Sequence, residues 1–359
     1  MKRVALGISG GIDSTVCALL LQQSGYEVIG VTMSIWDENC ARGEISGGSC
    51  FGSQEKENLE AVRMACAKLG IEHHIVPLQR EFATCVLDYF RSTYLAGKTP
   101  NPCVVCNQSV KLGFLPHRLR QLGIHYDLFA TGHYVRNDYS EQAGKWQLRK
   151  AKDPGKDQSY FLCYLTQEQL ANTIFPLGNL TKSEIRALAA RHGMDFVLSR
   201  KESQDFLGSD QYPLLFPDDS FEQGNMVDPE GKIVGTHKGI IHYTVGQRKN
   251  LGLSGKAEPW YVISLDAASN QVMVGPKQYL FKDRLTAQRV NWLSIDKPDS
   301  EIMAEAKIRF GHDAAPCRIT PTAEDEAELV FDTPQLSITP GQIVVFYMGD
   351  LLLGGGIIK

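Results

Sequence analysis

No stretch of this sequence is apolar for long enough to act as a signal peptide or to span a membrane, and Met1-Lys2-Arg3 leads straight into a short strand-like segment and a glycine-rich loop. The chain is therefore expected in the cytoplasm, away from membranes. Surplus positive charge is lacking as well. With 37 Lys and Arg against 41 Asp and Glu the formal net charge is −4, which argues against indiscriminate coating of nucleic acid and leaves room for one local basic face. There is no disulfide framework to read: the nine cysteines of this 359-residue chain lie in a compartment that keeps thiols reduced, and a core this large needs no staples. Any special cysteine is then a catalyst or a ligand. The sequence also lacks both Gly-x-x-x-x-Gly-Lys-Ser/Thr and Gly-x-Gly-x-x-Gly, so it carries neither of those two phosphate-binding loops.

What is present is a 43% hydrophobic content, enough to bury a large core, in a chain longer than one domain usually holds; two or three domains are expected. The first third alternates strand patterns at 3–8, 27–33 and 73–77 with helical patterns at about 13–23 and 54–69, which predicts an α/β fold with a doubly wound parallel sheet. Helices at about 81–95 and 110–122 and a strand at 127–131 extend it. Gly25, Gly70, Gly97 and Gly123 fall where helix C-caps belong. Thr181-Lys182-Ser183-Glu184 has the form of a capping box and opens a helix to about His192 that closes this unit. Beyond Lys201, short β-rich runs at 239–245, 260–265 and 271–274 predict a small β domain, and 285–359 predicts a compact barrel. The expected domains are 1–202, 203–280 and 281–359.

The first strand runs into Ser9-Gly10-Gly11-Ile12-Asp13-Ser14 and then a helix. Two glycines let backbone approach a ligand closely, and loop amides at a helix N-terminus point donors at an anion. The predicted ligand is phosphate. The loop resembles that of the N-type ATP pyrophosphatases (PP-loop enzymes), which cleave ATP between its α and β phosphates and so turn a substrate oxygen into an adenylated leaving group. Mg²⁺ is expected to offset the pyrophosphate charge.

Lys98-Thr99-Pro100-Asn101-Pro102-Cys103-Val104-Val105-Cys106-Asn107 lies between two helical patterns, the second expected to start near Asn107. A thiol near a helix N-terminus has a stabilised thiolate, which makes Cys106 a candidate nucleophile or ligand. The Cys-x-x-Cys pair has no second copy to complete a zinc site, and a redox dithiol is the other reading of it. Cys17 and Cys66 fit helix interiors as core residues.

Taken together, the Ser-Gly-Gly-x-Asp-Ser loop, the Thr-Pro-Asn-Pro-x-x-x-Cys-Asn segment, Ala130-Thr131-Gly132-His133-Tyr134, Lys156-Asp157-Gln158-Ser159-Tyr160-Phe161-Leu162 and Tyr243-Thr244-Val245-Gly246-Gln247-Arg248-Lys249 resemble the tRNA-specific 2-thiouridylases (the MnmA or TrmU family) over nearly the whole chain. The resemblance implies a PP-loop sheet followed by two small β-rich domains, and the ATP-dependent conversion of a tRNA wobble uridine to 2-thiouridine. It places ATP against Gly7, Ile8, Ser9, Gly10, Gly11, Ile12, Asp13, Ser14, Met33 and Gly132, and the nucleophilic cysteine on Cys106; Cys103 and Asp13 are expected to take part in catalysis beside it. It puts tRNA against His133, Lys156, Asp157, Gln158, Arg309 and Gln342. A histidine at a strand end is equally well a satisfied structural residue.

Two departures from the family pattern bear on mechanism. Better-known members carry Asp at the position of Cys103, and a second catalytic cysteine after the segment matching Lys201-Glu202-Ser203-Gln204-Asp205; here Phe206, Leu207 and Gly208 follow, and no cysteine occurs between Cys163 and Cys317. Related thiolases without that cysteine use three thiolates to hold a 4Fe-4S cluster that binds sulfide. Cys50, Cys103 and Cys106 are the ligands this would imply, with Cys40 in the same long loop as a rival to Cys50. Otherwise Cys103 and Cys106 cycle as a dithiol. The sulfur donor is either inorganic sulfide or a persulfide carrier protein. Rival readings are another PP-loop enzyme, such as a thiolase of a different tRNA position or an amidating synthetase, and a non-catalytic tRNA-binding Fe–S protein.

Overall fold

The computed structural model describes residues 1–41, 45, 50–198, 206–208, 211–217, 222–255 and 258–359. Strands β1 (Arg3–Gly7), β2 (Glu27–Ser34), β3 (Glu72–Pro77), β4 (Leu128–Thr131), β5 (Val135–Ser140), β6 (Lys145–Lys150) and β7 (Thr173–Ile174) belong to its first part. Five of them form a parallel sheet in the order β3-β2-β1-β4-β7. β1 is its middle, which is why Val4, Ala5 and Leu6 are apolar in succession and wholly buried.

The helix Ile12–Gln23 follows β1 and buries Val16, Cys17 and Leu21; Glu55–Leu69 follows β2 and stops at Gly70, which is left-handed at φ 66. Gly25, Gly97 and Gly123 also take positive φ, as their predicted positions at helix ends require. The expected capping box is made in full: the Thr181 hydroxyl accepts from Glu184 N, and the Glu184 carboxylate accepts from Thr181 N at the start of Lys182–Arg191. Cys17 and Cys66 are buried, as their helical positions predict.

β8 (Gly224–Val227), β9 (Ile233–His237), β10 (Trp260–Asp266) and β11 (Gln271–Pro276) form a second sheet in the order β10-β11-β8-β9. The run at 239–245 is not a strand. Gly239 turns the chain at φ 115, its amide donates to His237 Nδ1 at 3.1 Å, and only one helical turn, Ile240–His242, follows. β12 (Phe281–Trp292), β13 (Ile302–Lys307), β14 (Ala315–Pro321), β15 (Glu326–Leu336), β16 (Ile343–Met348) and β17 (Leu351–Ile358) run in the order β12-β15-β14-β13-β16-β17, and β12 pairs with β17 to close the predicted barrel.

The hairpin β5–β6 is not legible as strands in the sequence. It joins the barrel rather than the parallel sheet: Leu351 and Leu352 of β17 pair with Arg149 and Leu148 of β6. One apolar cluster accordingly runs from Ala5 and Phe129 through Tyr160 to Ile343, Val345 and Tyr347. The barrel shares a core with the unit that carries the phosphate loop.

Candidate active site

The phosphate loop sits at the C-terminal end of the central strand, where open α/β sheets bind their ligands. Gly10 is left-handed at φ 72, and a Cβ there would lie 3.0 Å from Val62 N, so glycine is required twice over. Gly11 occupies the helix N-cap and supplies no side-chain acceptor to the first turn. The opening amides of a 12-residue helix are thus left for an anion. Ser14 Oγ accepts from Ser9 N at 3.2 Å and donates to Gly11 O at 3.2 Å, which fixes the loop's curve. Gly132, past the end of β4, packs on the same turn; a Cβ there would stand 3.2 Å from Ser14 N. Met33 is half-buried on β2 beside the loop strand.

Asp13 does not stand alone in this loop. Lys182 Nζ donates to both of its carboxylate oxygens, at 2.7 and 2.8 Å, and Tyr134 OH donates to Oδ1 at 2.6 Å. Lys182 is only 12% exposed and Asp13 27%, so this is a partly desolvated, charge-assisted pair. Sequence reasoning missed Lys182 and Tyr134 as members of the site. The available hint was that Lys182 is the first helical residue after the capping threonine.

The cysteine helix begins earlier than the sequence suggests. Asn101 caps it, its side chain accepting from Val104 N at 3.3 Å, and Pro102 opens it. Cys103 and Cys106 are one turn apart, and Cys106 begins a π-wound stretch, Cys106–Phe114. Cys106 is therefore inside a helix and packed against the core rather than at an exposed N-terminus. Burial pushes its thiol up to about 12, Cys50 adds to that shift, and Lys111 opposes it. Desolvation and the nearby helix start thus act on this thiol in opposite directions.

Cys50 is exposed, and its Sγ lies 4.0 Å from Phe206 O, while Phe206 stacks on Phe51 with ring centroids 5.9 Å apart. Residues 46–49 of its loop and Lys201 to Asp205 lie outside the described residues. Among the described residues no three His, Cys, Asp or Glu side chains converge as ligands of one metal ion.

The residues expected at tRNA are divided among several tasks. His133 is buried, its Nδ1 is 2.7 Å from Thr131 Oγ1, and burial followed by the charge of Lys111 holds it well below the usual histidine range. Asp157 accepts from Ala151 N at 2.9 Å and from Ser159 Oγ at 2.7 Å, which shapes its loop. Gln158 exchanges hydrogen bonds with the Tyr134 backbone, its N donating to Tyr134 O at 3.0 Å and its Oε1 accepting from Tyr134 N at 3.0 Å. That couples the Lys156–Gln158 loop to the tyrosine on Asp13. Arg309 Nη2 donates to Thr339 Oγ1 at 2.8 Å. Gln342 is a strut: its Nε2 donates to Pro100 O at 2.9 Å and to Thr99 O at 3.2 Å, and Thr99 N donates to Pro340 O at 2.8 Å. The barrel thereby holds the loop that leads into Cys103.

Three family models cover the chain: a tRNA methyl transferase HUP domain over residues 2–207, a tRNA methyl transferase PRC-barrel domain over 219–276, and an aminomethyltransferase beta-barrel domain over 282–358. The chain is 44% identical to the tRNA-specific 2-thiouridylase MnmA of Geotalea uraniireducens, over 100% of this chain and 95% of that protein. It is 42% identical to the protein of the same name from Endomicrobium trichonymphae, over 99% and 98%. Among solved structures, the NH3-dependent NAD synthetase of Campylobacter jejuni aligns with 54% of this chain and 66% of that one at 24% identity and a TM-score of 0.32. On the end-to-end similarity to its curated relatives, the chain belongs to the tRNA-specific 2-thiouridylase (MnmA) family.

Proposed function

We propose that this chain converts the wobble uridine of a tRNA to 2-thiouridine, spending ATP to activate the uridine O2 and replacing that oxygen with sulfur. The observation that carries the reading is the end-to-end match to curated 2-thiouridylases. In this reading the loop from Gly7 to Ser14, with Gly132 against it and Met33 beside it, takes ATP. The uridine O2 attacks the α-phosphorus, and pyrophosphate leaves against the loop amides. Asp13 is the carboxylate that would hold Mg²⁺, which would neutralise the leaving charge, and Lys182, its ion-pair partner, would stand beside the phosphates.

The second half-reaction belongs to Cys106. As a persulfide loaded by a carrier protein, its outer sulfur attacks C2 and AMP departs with the old O2. Cys103 then attacks Cys106 Sγ, which releases the thiolated base and leaves a Cys103–Cys106 disulfide for an external dithiol to reduce. A second reading is favoured by two cysteines one helical turn apart, Cys103 and Cys106, and by the absence of a family-type second cysteine between Cys163 and Cys317. Three thiolates suit iron and sulfur; Cys50, Cys103 and Cys106 would hold a 4Fe-4S cluster that would supply a binding site for inorganic sulfide. His133, Lys156, Asp157, Gln158 and Arg309 would face the tRNA, with Gln342 bracing the loop that leads into Cys103.

The test is nucleoside mass spectrometry of unmodified tRNA incubated anaerobically with reconstituted protein, ATP, Mg²⁺ and inorganic sulfide. Product with sulfide alone supports the cluster, and product only with a persulfide donor supports the dithiol. Pyrophosphate release without tRNA would favour an amidating synthetase instead, and full thiolation by Cys106→Ser would overturn both sulfur routes.

A further inference from the structure

The helix that carries Cys106 is π-wound from Cys106 to Phe114, and single π turns concentrate at functional sites because their looser winding has a cost that something must offset. Here the offset is visible. Gln169, in the short helix Gln167–Ala171, inserts its side-chain amide between two carbonyls of the π stretch, with Nε2 donating to Gln108 O at 2.8 Å and to Leu112 O at 3.0 Å. Its own Oε1 is fixed by Thr166 N at 3.0 Å, and its backbone N by Thr166 Oγ1 at 3.1 Å, so the amide cannot turn away. Gly113 completes the device: a Cβ there would sit 2.9 Å from Gln108 O and 3.8 Å from Gln169 Nε2, crowding the carbonyl and the clamp alike. An inserted side chain of this kind is a known cause of a broken i→i−4 ladder.

The winding decides where Lys111 goes. It lies five residues after Cys106, which in an α-helix places it about 140° round the axis. Bonding from i to i+5 widens the turn and brings Lys111 round to the Cys106 side of the helix, one turn on. In the structure its charge acts on both Cys106 and His133, and Lys111 itself is half-buried. The sulfur that attacks C2 is an anion whether it is a persulfide on Cys106 or hydrosulfide from solution. A fixed cation beside Cys106 would draw either one to that point.

We propose that Gln169 is a positioning residue that holds the Cys106 helix π-wound, and that this winding makes Lys111 the cation attracting the anionic sulfur nucleophile beside Cys106. The inference rests on Cys106 being the residue where sulfur is handled, and its test needs neither ATP nor tRNA. The full-length protein, reduced and freed of bound iron by chelation, is alkylated at fixed pH and low salt with iodoacetate and separately with iodoacetamide, and the rate at Cys106 is read by peptide mass spectrometry. The ratio of the two rates cancels the thiolate fraction and reports local positive charge.

Lys111→Gln should lower the ratio roughly threefold or more, as loss of a unit charge at short range predicts, and Lys111→Arg should keep it. Gln169→Leu should lower it similarly, and the double variant should fall no further than Lys111→Gln alone. An unchanged ratio in Lys111→Gln overturns the proposal. An unchanged ratio in Gln169→Leu with Lys111→Gln lowered overturns the clamp. Circular dichroism and a thermal melt on each variant exclude misfolding as the cause. Failure here leaves 2-thiouridine synthesis standing, and a tRNA that stays unthiolated leaves the alkylation ratio untouched.

Discussion

The glycine loop and the cysteine helix, the two elements that carry the candidate functional residues, are built by opposite means. The loop is continuous in sequence: β1 delivers it, two glycines shape it, Ser9 and Ser14 brace it, and the next helix supplies its donors. The cysteine helix is held from afar. Gln342 and Pro340 of the barrel fix the loop before it, and Gln169 props its winding open from 61 residues away. A local motif keeps its geometry wherever strand and helix form, whereas a helix set by distant amides depends on the whole tertiary structure being in place.

That contrast can be broken by experiment. Asp13→Asn weakens the pair with Lys182 inside the local loop and should lower tRNA-dependent pyrophosphate release on the order of 10²-fold to 10³-fold, the scale of losing one preorganised charge at a reacting phosphate. Thiolation should fall with it, and unchanged pyrophosphate release would remove Asp13 from the nucleotide site.

Gln342→Leu should act on the other half only. Thiolation should drop by roughly tenfold or more as the cysteine loop shifts, with pyrophosphate release near normal. If tRNA affinity falls instead, in a filter-binding measurement, Gln342 is a tRNA contact rather than a strut. The smallest effect is expected from Gly132→Ala, whose new methyl group meets Ser14 N at 3.2 Å. It should raise the KM for ATP several-fold and cost about 1 kcal/mol of stability, read by steady-state kinetics and a thermal melt; a KM at the wild-type value would mean that the loop yields without consequence.

Much of the fold was legible because its cues are short-range. Buried strands read as apolar runs, Gly25, Gly70, Gly97 and Gly123 marked helix ends, and Thr181 with Glu184 announced a helix that forms as expected. The hairpin β5–β6 escaped notice because it is largely polar and completes its pairing with β17 about 200 residues later. The run at 239–245 failed for the converse reason: it is apolar enough for a strand, but Gly239 turns it before it can pair.

The candidate site divides the same way. By itself the sequence determined the anion-binding loop, since a strand, two glycines and a helix N-terminus are enough to present free amides, and it determined which thiols are on offer. Only the tertiary structure decided that Asp13 is held by Lys182 and Tyr134, that Cys106 lies within a helix and packs against the core, where burial raises its thiol, and that this helix is π-wound from Cys106 onward. Those outcomes turn on burial and on hydrogen bonds between residues far apart in the chain. No pattern of neighbouring residues encodes such contacts.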